Sequence, residues 1–560
     1  MQTRTILAVV LSFLVFLIFT YLSEKYGTKP APPKPVPETA VPAPPVTPAK
    51  PMPPVAGPAT GMPQVSGAST REVVVETDLF RAIFTEAGAA LKSFQLKHYR
   101  QDLPFETIYR LSLGPVGFEI ERYQDPQKSS SRPKELVTVA PQQELPLSLT
   151  FEGRGLGLPA TLPYRASSTS LTVKGEETAT LVFEGRTPEG LVVTRTYRFR
   201  GNSYAFDLKD VVANRSPQSL EGALHLMLTG KATPAGQNTE GLVVSANRSV
   251  EEFKAGKLKE SKTYTAKVEW AGLDELYFLA VAAPAGPPRS QATLIEPSPK
   301  QFKAVLTLPE TAPAGQEVQA AYICYFGPKD TGHLAAAQVG LEKMVNFGWF
   351  DWLARPFLYF LKWLNSYVGN YGWSLVILTI LLRLAFLYPN HKSFKSMQVM
   401  QKLQPRVAEI REKYKDDREA MNRELMNLYR TFKVNPLGGC LPMLLQLPVF
   451  IALYNVLSYA IELRHASFIA TLPFTDIVWL ADLSAKDPLL ITPIVMGASM
   501  FVQQKMSPSP GDPAQAKMMM FLPLIFTVLF LNFASGLVIY WLVNNILAII
   551  QQHITNKYFK

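Results

Sequence analysis

Apolar residues are unevenly spread along this chain. One run covers residues 6–22, and five more cover 371–388, 437–459, 489–505, 518–533 and 537–552. A helix needs about 20 apolar residues to cross hydrocarbon about 30 Å thick. The pattern therefore predicts six membrane spans, an N-terminal anchor and a five-span α-helical bundle. Between them the periodicity changes. Residues 193–199 read VTRTYRF, Gly201-Asn202 follows, and Tyr204, Phe206 and Leu208 then alternate with Asp207 and Lys209. Alternation around a Gly-Asn turn signals a β-hairpin, and Thr187-Pro188-Glu189-Gly190 marks the turn before it. Many such strands over about 270 residues predict a large β-sandwich.

The boundaries follow from these shifts. Residues 1–25 are expected to form a signal anchor, left uncleaved because Leu22-Ser23-Glu24-Lys25 offers no small-residue cleavage site. Residues 26–70 are rich in proline, which lacks an amide donor and fixes φ, so they are expected to be an extended tether. The β-sandwich takes 71–340. Residues 341–370 mix apolar and aromatic positions with Glu342, Lys343, Asp351, Arg355 and Lys362, and are expected to lie as amphipathic helix on the outer bilayer surface, broken near Pro356. The five-span core is 371–556.

Charge gives the topology. Loop 390–435 holds eleven Lys and Arg, and loop 462–487 holds two. The positive-inside rule places the first in the cytoplasm and the second outside. Both termini are then cytoplasmic, and residues 26–370 are periplasmic. The formal net charge of +11 fits this rule and attraction to anionic lipid, not sequence-specific nucleic-acid binding. Within loop 390–435, Leu403, Val407, Ile410 and Tyr414 form one apolar stripe, and Met421, Leu425, Leu428 and Phe432 form another, with Asp416-Asp417 between. That spacing predicts a helical hairpin whose apolar faces pair.

Arg383 stands inside an otherwise apolar run, roughly 18 Å from the outer end of its span. An arginine at that depth costs about 2.5–3.5 kcal/mol on insertion scales and marks a functional site; snorkelling to the cytoplasmic headgroups is the alternative. Gln446, Gln503 and Asn544 share the membrane with it, and no carboxylate falls inside any run. An arginine among amides points to a hydrated cavity rather than a buried ion pair. The sequence holds no phosphate loop, no HExxH and no zinc spacing around Cys324 or Cys440. No enzymatic activity, metal or cofactor is expected.

Residues 434–442 read VNPLGGCLP and lead into LLQLPVFIALY, and the span that holds Arg383 reads VGNYGWSLVILTILLRLAFLYP. Both stretches resemble the YidC insertase family of Gram-negative type, the second its groove-arginine span. LQPRVAEIREKYKDD resembles its cytoplasmic hairpin, while DLSAKDPLLITPIVMGASMFVQQKMSP and FLNFASGLVIYWLVNNILAIIQQ resemble its last three spans. YFGPKD matches the junction after the outer domain. The resemblance implies an inner-membrane insertase that moves nascent membrane proteins into lipid through a hydrophilic groove containing Arg383, alone or with the Sec translocon. It implies substrate contacts at Thr379, Tyr540 and Trp541. It also implies work with ribosomes, here expected through 392–433, since the sequence ends at Lys560 without a long basic tail. A secondary transporter or lipid scramblase would share the polar groove, and an anchored periplasmic chaperone would share the outer domain.

On a cysteine-free background, a single cysteine placed in 395–433 should react with an impermeant thiol reagent only from the cytoplasmic side, and one in 465–486 only from outside. Reversed labelling would remove the six-span topology.

Overall fold

The structure is a computed structural model that describes residues 71–113, 116–123, 132–154, 157–233, 240–265, 267–286, 290–432, 441–506 and 513–558. The expected anchor and tether, Cys440 and most of the VNPLGGCLP stretch lie outside the described residues.

Among the described residues the alternating region folds as three large sheets and a two-stranded hairpin, Phe105–Leu113 with Val116–Tyr123. A nine-stranded antiparallel sheet runs in the order Ser249–Lys254, Gly241–Ala246, Val268–Asp274, Phe278–Pro284, Glu317–Pro328, Ala205–Asn214, Leu191–Arg200, Thr178–Arg186, Tyr164–Ala166. Two five-stranded sheets pack against it, one centred on Phe80–Thr85 and one on Gln301–Ala312. The hairpin expected around Gly201-Asn202 is present, with Tyr197 opposite Leu208. Along Leu191–Arg200 every second residue is buried, as period-2 alternation requires. Phe80, Phe84 and Phe94 interleave with Tyr197, Phe199 and Phe206 between the layers.

One inward position is charged. Arg195 shares its face with Val193 and Tyr197 and is fully buried. Directly across the strands lies Asp210, with Nε to Oδ1 at 2.8 Å and Nη2 to Oδ2 at 3.3 Å. Nη1 donates to the carbonyls of Leu147 at 2.7 Å and Gly88 at 3.1 Å, and the Tyr197 hydroxyl donates to Ala89 at 2.8 Å. Every charge here is hydrogen-bonded, which is the condition for tolerating an ion pair out of water. The pair joins the long sheet to the layer that covers it.

The helices follow. Helix α1 is Thr331–Ala336, capped by Asp330. Helix α2, Asp351–Val368, buries Ala354, Leu358, Leu361 and Leu364 and exposes Trp352, Tyr359, Trp363 and Tyr367. It is the expected amphipathic helix, but it runs unbroken through Pro356. Proline there removes a single hydrogen bond near the N-terminus, and the buried 3–4 spacing on either side holds the helix together.

Helix α3, Tyr371–Ala385, is followed after one residue by α4, Leu387–Lys402, bent from it by 55°. Pro389 lies in the first turn of α4, where its missing amide costs little. Helices α5, Gln404–Lys413, and α6, Arg418–Thr431, make the hairpin, closed by Val407, Leu425 and Tyr429. The expected stripes depart only at their last members. Phe432 is exposed and takes the Arg406 guanidinium 5.1 Å from its ring centre, while Tyr414 lies outside the cluster that Tyr429 completes. Helix α4 is an additional element: among the described residues the charge-rich loop holds α5, α6 and most of α4.

The last four helices are α7, Leu441–Tyr459; α8, Ile491–Met506; α9, Pro513–Phe530; and α10, Ser535–Tyr558. Among the described residues, Ser535–Thr555 is by itself long and apolar enough to cross a membrane, and the bent pair α3 and α4 passes the same test jointly. The apolar stretches of α7 and α9 are shorter.

Replacing Asp210 by Ala should strand the Arg195 charge and destabilise the outer domain by about 3–5 kcal/mol. The paired change Arg195→Met with Asp210→Leu should recover most of that loss. Thermal unfolding of the full chain in detergent, followed by protease resistance of residues 71–330, checks both. Equal melting of wild type and Asp210→Ala would contradict the role given to the pair.

Candidate functional site

The polar residues of the helical part converge on α10. Tyr540 and Asn544 lie one turn apart and share a face. Asn544 Oδ1 is 3.5 Å from Arg383 Nη1 on α3. Tyr540 is buried, and its hydroxyl accepts from the Gln446 amide on α7. Seven residues beyond Asn544, Gln551 donates to the carbonyl of Leu387 at 3.5 Å, beside the α3–α4 bend. A second row runs alongside. Asn545 donates to Ser499 Oγ on α8 at 3.1 Å, and Gln552, again seven residues on, donates to the Met506 carbonyl at 2.6 Å. Two turns of helix return nearly to the same face, so each row keeps to one side of α10. One row addresses α3 and α4, and the other α8.

Of the expected site residues, Arg383 and Asn544 are thus brought together, as are Gln446 and Tyr540. Thr379 is buried, its hydroxyl donating to the Leu375 carbonyl at 2.7 Å within its own helix. Trp541 packs among rings: Phe450 at 5.0 Å, Phe530 at 5.3 Å and Phe526 at 5.8 Å. Gln503 lies half-buried on α8. The sequence reading named neither Ser499 nor the pair Gln551 and Gln552. The seven-residue repeat of amides in NNILAIIQQ was the available signal.

Arg383 itself is half-buried, and its Nε is buried without a hydrogen-bond partner. No carboxylate is paired with it among the described residues. The Asn544 contact is long for a hydrogen bond. A guanidinium so placed carries positive charge that the protein leaves largely unanswered.

One end of the bundle is covered by the loop between α7 and α8. Phe468 covers Gly372 at the start of α3, where an added Cβ would stand 2.2 Å from the ring. Asn370 donates to the Phe468 carbonyl at 3.1 Å. Asp487 accepts from the Thr492 amide and hydroxyl, both at 2.7 Å, and so caps α8. Ser535 Oγ donates to Asp482 O at 2.9 Å, which ties α10 to the same loop. The loop between α7 and α8 therefore pins three helix ends.

Comparison with known proteins agrees with this architecture. A family model described as "YidC periplasmic domain" matches residues 116–360, and one described as "60Kd inner membrane protein" matches 363–560. The "Membrane protein insertase YidC" of Geotalea uraniireducens is 40% identical, with 100% of this chain and 99% of that protein covered. The chain belongs to the YidC membrane protein insertase family. The protein of the same name from Syntrophus aciditrophicus is 39% identical over the full length of both. A solved structure described as "Active YidC insertase crystal structure with the first transmembrane domain resolved" aligns with 88% of this chain and 94% of its own at 19% identity, with a TM-score of 0.36. As a member of the YidC family the chain is an inner-membrane protein with a periplasmic domain; the nine-stranded sheet and the sheet centred on Gln301–Ala312 fall within the segment matched as that domain, while Glu72–Glu76, Phe80–Thr85 and Ala90–Arg100 of the other sheet precede it. Its relatives are named as insertases, not as enzymes.

Proposed function

We propose that this protein inserts nascent membrane proteins from the cytoplasm into the bilayer through a hydrated groove whose charge is Arg383. The observation that carries this is the guanidinium with an unpartnered Nε among apolar helices. Left dry, such a donor costs about 1–3 kcal/mol. Water in a groove, or a polar substrate segment passing through it, removes that cost. The outer end is capped by the α7–α8 loop, so the groove opens toward the cytoplasm and lipid.

The reaction needs no nucleotide. A polar or acidic outer segment of the substrate leaves water for a wet, positively charged groove and keeps most of its solvation. Its apolar span then slides into lipid, and burial of about 20 apolar residues drives the step. Asn544 steadies the guanidinium from α10, while Gln446 and Tyr540 extend the polar lining toward α7. Thr379 and Trp541 shape the wall. Gln503 extends it on α8. In the cell this protein acts alone or with the Sec translocon, in a six-span arrangement with both termini inside. The hairpin of α5 and α6, within residues 392–433, is the surface offered to the ribosome, since it pairs its own apolar faces and leaves the charged ones outward.

Insertion of a single-span reporter bearing zero, one or two acidic residues ahead of its span tests the electrostatic role. Arg383→Lys keeps the charge but loses the planar fork, and should retain much of the activity. Arg383→Ala should impair the reporter with two acidic residues most and the neutral one least, and Arg383→Glu should be worse than Ala on the acidic ones. Expression and protease resistance of each variant establish that it folds. If Ala impairs all reporters equally, or Lys fails as badly as Glu, Arg383 acts by packing.

A further inference from the structure

Three parts of the chain meet at one ammonium. Lys362, on α2, lies 3.0 Å from Asp330 Oδ2 and 2.7 Å from Glu462 Oε1. Asp330 ends the outer domain, and its other oxygen is already engaged. Oδ1 caps α1, accepting from the amides of Gly332 at 2.8 Å and His333 at 3.1 Å. Glu462 lies in the short turn Ile461–Leu463 just after α7. The outer domain, the interfacial helix and the start of the α7–α8 loop are therefore joined through Nζ. All three side chains are mostly buried, Glu462 the most. Burial opposes the charge on Lys362, but its hydrogen bonds to Glu462 and Asp330 outweigh that and raise its pKa. The ammonium is thus held charged at neutral pH.

Helix α2 packs on both α3 and α7. These are the helices that carry Arg383 and Gln446. Its outward face, with Trp352, Tyr359, Trp363 and Tyr367, is exposed among the described residues. Apolar packing on one side and lipid on the other do not fix the angle of a helix, because both are non-directional. Directed hydrogen bonds do fix it. The other polar ties of this region gather near the N-terminal end: Arg355 donates to the Val345 carbonyl at 2.6 Å, and Asn455 to Phe347 at 2.6 Å. Lys362 is the tie in the second half of the helix. Without it, two carboxylates no more than about 6 Å apart face each other unneutralised and repel.

We propose that Lys362 is a positioning residue for insertion: by holding Asp330 and Glu462 together it sets the seat of helix α2 on α3 and α7, and through that the groove around Arg383. This rests on the groove reading above. The role is not met by packing, so it requires charge and hydrogen-bond geometry at position 362 rather than a long side chain alone.

The test uses the full chain in lipid vesicles, without its native cysteines and with one exposed position of α2, Tyr359, changed to Cys and labelled with an environment-sensitive fluorophore. Two readouts are taken, the emission of the label and insertion of a neutral single-span reporter. Lys362→Met should shift the emission and lower insertion about threefold, as loss of partly buried ion pairs would. Lys362→Arg should restore both, and Glu462→Gln, which removes one arm, should fall between. Protease resistance of the outer domain shows that each variant is folded. An unmoved label in Lys362→Met overturns the clamp. A shifted label with unchanged insertion overturns the positioning role, and so does Lys362→Arg failing as Met does. Arg383→Ala should leave the label unmoved. Its effect on acidic reporters judges the groove separately, so failure of the clamp and failure of the groove give different results.

Discussion

A guanidinium placed among apolar helices must be solvated by something, and much of the helical part of this protein follows from that requirement. In hydrocarbon the penalty is too large to leave unanswered. A carboxylate would answer it, but it would also cancel the charge. Here the Asn544 amide lies 3.5 Å from Nη1, and Nε has no hydrogen-bond partner among the described residues. Amides orient a cation without neutralising it. The last helix supplies amides at a seven-residue interval to α3, α4 and α8, and the Tyr540 hydroxyl to α7, so that one helix serves as a polar spine. The bundle keeps a positive charge available and does not spend it on an ion pair.

The outer domain handles charge in the opposite way. Arg195 is also deep in an apolar setting, but it is saturated by Asp210 and by backbone carbonyls from the neighbouring layer. Nothing remains for a ligand, and the pair acts as a joint between layers. Comparing the two arginines separates structure from function better than burial does. What matters is whether the donors are used. At the boundary between the two regions, Lys362 is paired with two carboxylates, and the structural units it joins are distinct parts of the chain.

Much of this was legible in the sequence, because periodicity reports which side of an element is buried. Alternation gave the strands around Gly201-Asn202, and 3–4 spacing gave α5 and α6. The same alternation places Arg195 on the inward face beside Val193 and Tyr197. It passed as an ordinary charged residue in a strand, since the partner that makes it tolerable, Asp210, is fixed only by strand register. Pro356 was read as a break because local propensity cannot see how much buried surface holds α2 together. Helix α4 was missed since its apolar content is low and the span before it hides its start. The sequence does not show that Thr379 and Tyr540 are both buried and hydrogen-bonded. Burial of that kind depends on how the helices pack.

The central claim is that water reaches Arg383 from the cytoplasmic side. Asn544 is its neighbour, and Ile546, two residues on, is exposed on the apolar surface of α10. On a cysteine-free background, Asn544→Cys and Ile546→Cys are each challenged with a membrane-impermeant thiol reagent in vesicles of known orientation. A hydrated groove open to the cytoplasm gives labelling at position 544 from that side alone and none at 546. Absence of labelling at 544 from either side, in protein shown to be folded by protease resistance, would mean that the arginine lies in a dry bundle and that the groove does not exist.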